Sequence, residues 1–302
     1  MKFPDQSSYL KNLLLLHLIV FIWGFTGILG KYITLSSTEI VWYRMAIAVI
    51  SLVVYFYIAK SFIKVSPNQL LKYFGVGLLI AFHWVTFFEA IKLSNVSIAL
   101  SCMATTTFFT ALIEPFIFRR KIIGYELIMG VIVVLGIYLI FRFELHYAVA
   151  ILVALTSAFL AALFTVLNAR FVKNEDSGMI TLYELMGGLF GVSIYMFFTG
   201  GYETVFSPLS LEDGIALLIL GVVCTAFAFL ASVEIMKTLT AFTVAISVNL
   251  EPIYAIILAL LIFGESERMT AGFYLGAAVI LLSIFINAYL KRTAWKRNLP
   301  RA

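Results

Sequence analysis

The sequence predicts an all-α membrane protein of ten transmembrane helices, arranged as an inverted 5+5 repeat. Three observations carry that expectation. Of the 302 residues, 63% are hydrophobic and 12% charged, against about 45–50% and about 25% in ordinary soluble domains. A globule of this length cannot hide that much apolar surface. The apolar residues also run continuously instead of alternating, which excludes a β-barrel and leaves helices that satisfy their own backbone in lipid. Finally, short patterns recur at a slowly drifting offset. A soluble, disordered or collagen-like chain is excluded, and the net charge of +5 signals no nucleic-acid partner.

Taken in order, spans are expected near 12–33, 38–59, 70–91, 96–118, 123–142, 147–170, 179–199, 213–234, 240–263 and 270–290. The first runs from Leu13 past Trp23 to Ile33. It is long enough to span, and no Ala-x-Ala site follows it, so it reads as a helix and not as a cleaved signal. The longest gaps, Ile58 to Leu70 and Gly200 to Glu212, hold the turn signals Ser66-Pro67, Gly200-Gly201 and Ser207-Pro208. Loops this short leave no room for a soluble catalytic domain. Cys102 and Cys224 lie in apolar runs, without metal-ligand spacing.

Orientation follows from Lys and Arg. With the N-terminus inside, sixteen fall in inside segments, four (Lys31, Lys92, Arg142, Arg268) outside, and Arg44 within a span. The asymmetry predicts that both termini are cytoplasmic; the plasma (inner) membrane is the expected location.

The repeat is read from four matches. Glu89-x-x-Lys92 returns as Glu234-x-x-Lys237 and Lys31-Tyr32 as Arg170-Phe171; Tyr43-Arg44 matches Tyr183-Glu184, and Gly130 matches Gly276. The units are 1–144 and 145–302. An odd number of spans per unit forces opposite orientations, the plan of secondary transporters with a substrate site near the midplane. A rival register, Glu114-Pro115 on Glu251-Pro252, is rejected, because the first pair lies near a span end and the second mid-span.

Trp23-Gly24, Arg44 and the stretch Asn249-Leu250-Glu251-Pro252 running to Gly264-Glu265 resemble the ten-helix EamA-type members of the drug/metabolite transporter superfamily. The first repeat departs from that pattern, with Thr107 and Arg120 at the positions matching Pro252 and Glu265. The resemblance implies secondary active transport of small metabolites, amino acids or drugs, in the export direction.

Ionisable groups inside spans are functional candidates by default. Glu251 lies about 16 Å from the inner end of its span. In the same slab fall His83, Trp84, Trp23, Asn249 and Thr106. These six are the candidate substrate- or proton-binding residues: the carboxylate for a proton or a cationic group, the indoles for stacking, and the imidazole for relay. Pro252 leaves the carbonyl of Val248 without its helical donor and is expected to kink the helix, with the Thr105–Thr107 run as its counterpart in the fourth span. Arg44 is expected to pair with Glu89 near the outer side and Glu184 with Lys237 near the inner side, as structural charges.

The expected partners are a small-molecule substrate, the lipid bilayer and protons as coupling ion; oligomeric state is left open. No cofactor or metal is expected, and no His-Glu-x-x-His, Walker A or Gly-x-Ser-x-Gly motif is present. The alternatives are an uncoupled facilitator or channel, and a membrane-embedded enzyme acting on lipid, which would need a reactive interfacial cluster.

Overall fold

The computed structural model describes residues 6–205 and 207–298. Lys2 and Arg301, two of the basic residues counted for orientation, lie outside them. The elements are α1 (Gln6–Tyr32), α2 (Ser37–Ile58), α3 (Pro67–Leu93), α4 (Val96–Met103), α5 (Thr106–Phe118), α6 (Gly124–Phe143), α7 (Ala148–Phe171), α8 (Ser177–Thr199), the single turn α9 (Tyr202–Val205), α10 (Leu211–Leu218), α11 (Ala228–Ile235), α12 (Ala241–Val248), α13 (Glu251–Phe263) and α14 (Ala271–Asn298). The described residues contain helices and no strand.

Nine stretches among the described residues are long and apolar enough to cross a membrane. The tenth predicted span is α14, whose 28 residues reach about 42 Å at 1.5 Å each. Two of the nine stretches are each built from two consecutive helices, α4–α5 and α12–α13. A third joins α10 to α11 through a π-helical turn at Ile219–Phe227. Successive spans run in alternation, so α1, α3, α6, α8 and α12 begin at one end of the bundle, the near end. The helices α2, α4, α7, α10 and α14 begin at the far end.

Local sequence explains the boundaries. Ser36 with Glu39 and Ser66 with Gln69 form capping boxes, with Pro67 at the start of α3. Asn95, Asp176, Ser210 and Thr240 cap α4, α8, α10 and α12. At Gly200 the chain leaves α8 with φ 74°, a backbone that suits glycine.

The interruption of the ninth span differs from the expected kink. The helix stops at Val248, turns through Asn249 and Leu250, and restarts at Glu251, with Pro252 in the first turn of α13. Pro252 therefore occupies a position where its missing N–H costs little; the break precedes it. The fourth span breaks at the matching place, Ala104-Thr105, without any proline. Both spans divide into a helix of 8 residues followed by one of 13. Pro115, by contrast, sits inside an unbroken α5.

The two broken spans pack against each other, α4 on α13 and α5 on α12. Close backbone contacts set the rest of the bundle. A Cβ on Gly276 of α14 would lie 2.6 Å from the Gly136 carbonyl of α6, so these helices touch only because both residues are glycine.

Candidate functional site

A cavity of about 110 Å³ lies at mid-depth. Its charged lining groups are Arg44 from α2 and Glu251 from the first turn of α13. Arg44 starts about 10 Å in from the far end and points into the bundle, with only 2% of its surface exposed. Its Nε and Nη2 donate to Thr225 Oγ1 at 3.0 and 2.9 Å. The guanidinium lies 3.8 Å from the Trp84 ring centroid and 5.4 Å from that of Phe88, a stacked arrangement suited to a buried Arg. Nη1 has no partner.

The Thr225 acceptor is itself placed by the π-helical turn. Its hydroxyl donates to the Leu220 carbonyl, five residues back, at 2.6 Å. This widened turn, of a kind often found at functional positions, brings the hydroxyl to the arginine.

Glu251 opens onto the same cavity, 8% exposed. No ion pair within 4.0 Å joins it to Arg44 among the described residues. Two opposite charges thus face one apolar space without touching. Aromatic rings line the remainder, Trp23, Phe87, Phe164 and Phe229 among them.

His83 is fixed by α7. Its Nδ1 lies 3.0 Å from the Ser157 carbonyl and 2.8 Å from the Ser157 hydroxyl, and that hydroxyl donates to the His83 carbonyl at 2.9 Å. A carbonyl only accepts, so the network assigns the proton of the neutral ring to Nδ1 and the lone pair to Nε2. Trp23 Nε1 donates to the Cys224 carbonyl at 3.2 Å, which occupies its polar edge. Thr106, the counterpart of Glu251 in the broken fourth span, lines the cavity and donates to the Ala158 carbonyl at 3.3 Å.

Five of the six candidates read from sequence therefore line one cavity: Glu251, His83, Trp23, Trp84 and Thr106. Asn249 does not. It is buried in the α12–α13 break, outside the lining, and both amide atoms are without a protein partner. Depth placed it in the right slab, but its azimuth turns it away from the cavity.

Both predicted charge pairs are corrected. Arg44 does not meet Glu89, which accepts from Ser37 Oγ at 2.6 Å near the far end. The arginine turns inward because aromatic faces and Thr225 accommodate its charge there. Glu184 does not meet Lys237, which pairs with Glu234 one turn away at 2.6 Å; Glu184 is fully buried against Asn168 at 3.0 Å. Sequence reading also missed Thr165, Ser232 and Met236 of the lining, since nothing marks them among many similar residues. Arg44 carried a signal that was underweighted, an arginine well inside a span.

The family model of the EamA-like transporter family matches twice, at residues 10–142 and 148–289. The chain belongs to the EamA-like transporter family. Curated relatives of this EamA chain are described as uncharacterized transporters. One from Archaeoglobus fulgidus is 24% identical over 286 residues, covering 92% of this chain and 97% of that protein. One from Bacillus subtilis, YxxF, is 25% identical over 265 residues, covering 84% and 83%. One from Clostridium kluyveri is 23% identical over 206 residues, covering 66% of this chain and 65% of that protein, just under two thirds of its length. A solved structure titled only as a crystal structure of a protein superposes with a TM-score of 0.69 at 14% identity, covering 95% of this EamA chain and 99% of the other. That likeness shows the fold alone. The EamA chain is an integral membrane protein of a transporter family, and its relatives' names point away from an enzyme.

Proposed function

We propose that the protein is a secondary active transporter that exports small amphoteric metabolites, amino acids or drugs across the plasma membrane by alternating access. The observation that carries this reading is the pair of opposite charges, Arg44 and Glu251, facing one aromatic-walled cavity without contact. Arg44 Nη1 is buried without a protein partner, a donor that a bound acceptor would satisfy. A molecule with a carboxylate and an ammonium group satisfies both charges at once, while its apolar body meets the aromatic walls. Desolvating either charge alone is expensive, so a ligand bearing only one of the groups binds less well.

The cavity reaches from mid-depth towards the near end, where α7 and α11 finish and α12 begins; Thr165, Met236 and Val244 line that part. With both termini cytoplasmic, as the charge asymmetry predicts, this end faces the cytoplasm and loading occurs from inside. The matched stretches 10–142 and 148–289 support the division at 144/145 into two repeats of opposite orientation. Protons are the coupling ion of this reading, with Glu251 as carrier or as the contact for a cationic group.

The test is binding of a matched set of ligands to the purified protein, followed by proteoliposome transport with and without a pH gradient. An apolar amino acid should raise the melting temperature more than the amine or the acid derived from it. Equal response to all three would overturn the amphoteric reading, and transport indifferent to the gradient would leave an uncoupled facilitator.

A further inference from the structure

Next to the cavity, α7 and α8 hold a second buried polar cluster that substrate binding does not use. Asn168 Nδ2 donates to Glu184 Oε2 at 3.0 Å. The remaining oxygen of each side chain, Asn168 Oδ1 and Glu184 Oε1, has no partner, and neither has Thr181 Oγ1. Thr181 lies one turn before Glu184 on the same helix, the spacing that makes side chains neighbours. All three residues are fully buried. From the third side, Gly77 of α3 lies so close to the Glu184 backbone that a Cβ there would collide with it. Asn168 follows the cavity residue Thr165 by three positions on α7, so the cluster sits between the cavity and the near end.

The charge accounting is incomplete within the protein. A carboxylate at this depth requires compensation, yet none of the ion pairs among the described residues includes Glu184. The titratable groups that approach from neighbouring segments are occupied or acidic. The Tyr73 hydroxyl of α3 donates to Glu175, and Asp176 caps α8 through the Met179 amide. One carboxylate balances one unit of positive charge. Among the described residues no group of three His, Cys, Asp or Glu could hold a multivalent metal.

We propose that Glu184, Asn168 and Thr181 form a site for a monovalent cation, Na⁺ or a proton, distinct from the substrate cavity. Carboxylate, amide and hydroxyl oxygens suit a hard cation. A proton on Oε1 instead turns that atom into a donor, for which the unpartnered Asn168 Oδ1 and Thr181 Oγ1 are the acceptors at hand. Either occupant neutralises the carboxylate, and the position one turn from the cavity wall links occupancy to the state of the near mouth. That link rests on the transport reading; the binding itself does not.

The site is tested by melting the purified full-length protein across a Na⁺ series balanced with choline, and separately from mildly acidic to mildly alkaline pH. Glu184→Gln, Asn168→Ala and Thr181→Val are melted alongside. For Na⁺, the wild-type midpoint rises with the logarithm of Na⁺ concentration, is flat in Glu184→Gln, and responds more weakly in Thr181→Val. For a proton, the midpoint ignores Na⁺ but carries a pH dependence that Glu184→Gln reduces by the share of one carboxyl, the remainder belonging to Glu251 and the other buried carboxylates. A wild type responsive to neither, or a response that Glu184→Gln leaves intact, overturns the proposal. Should Glu184→Gln fail to fold, unchanged responses in both other variants overturn it equally. Amphoteric ligands are absent throughout, so the outcome is independent of the substrate reading.

Discussion

Glu267 and Lys31 pair at 2.7 Å at the far end of the bundle, with the carboxylate fully buried. The same carboxylate accepts from the Val96 and Ser97 amides at 3.1 and 3.0 Å and from the Ser97 hydroxyl at 2.8 Å. It therefore closes the open N-terminus of the broken fourth span from the opposite half of the chain. The near end repeats the device with the halves exchanged. Glu114 of α5 accepts from the Phe242 amide in the first turn of α12 at 3.1 Å and meets Arg120 at 3.3 Å. Each broken span thus starts on a carboxylate supplied by the other half, where the helix dipole favours it.

These clasps should matter to stability in proportion to burial. Glu267→Ala strands two amides and a hydroxyl in a buried place, and a stranded buried donor costs about 1–3 kcal/mol. A clear drop in melting temperature is expected. Glu265→Ala removes only the exposed pair with Arg268, worth at most about 1 kcal/mol, and should leave the melt almost unchanged. Equal effects from the two variants would contradict the assignment.

Arg44 should not tolerate lysine. The guanidinium both stacks on Trp84 and bonds Thr225 through two nitrogens, geometry that an ammonium cannot copy. Losing one charge-assisted hydrogen bond, about 1.5–3 kcal/mol, predicts roughly a tenfold or greater fall in transport for Arg44→Lys. Exchanging Arg44 with Glu89 should recover nothing relative to Arg44→Glu alone, because the structure separates the two. Recovery on exchange, read in proteoliposomes, would restore the pairing that the sequence suggested.

The fold was legible in the sequence, and so was the layer in which the cavity lies; azimuth was not. Apolar run length and charge asymmetry set the spans, because lipid imposes length and loops carry the cations. Depth followed from counting at 1.5 Å per residue, which put Glu251, His83, Trp23, Trp84 and Thr106 in one layer. Helices that are apolar on every side give no reliable face, however, so Asn249 was assigned to the cavity and Arg44 to Glu89. The break at Asn249-Leu250 was signalled by Pro252, and its twin at Ala104-Thr105 by the repeat together with the Thr105–Thr107 run, where the Thr105 hydroxyl donates to the Cys102 carbonyl at 2.8 Å. The π-helical turn that delivers Thr225 has no residue signature at all.

Topology is open to a direct test. A reporter active only in the cytoplasm should work in the Lys60–Lys64 loop and stay silent in the Gly200–Glu212 loop. These lie at the near and far ends respectively. Activity at the second site would reverse the orientation, and with it the cytoplasmic loading that the cavity's extension towards the near end implies.

Glu251 offers the sharpest test of mechanism. It is one of two charged groups lining the cavity, it begins α13 immediately after the break, and Arg44 stands across the space without pairing. Glu251→Gln keeps size and hydrogen-bonding shape while removing the charge and the capacity to carry a proton. If Glu251 holds the substrate's ammonium group or the coupling proton, the variant should fold with a near-normal melt yet lose transport or its response to a pH gradient. The two roles separate within the same data. Loss of ligand-induced stabilisation together with transport assigns the ammonium contact, whereas retained binding with exchange that no longer follows the gradient assigns the proton. Near-normal transport with an unchanged pH profile would reduce Glu251 to a packing residue. The cavity would then hold its ligand through Arg44 and the aromatic walls alone, and anionic rather than amphoteric molecules would be the class to screen.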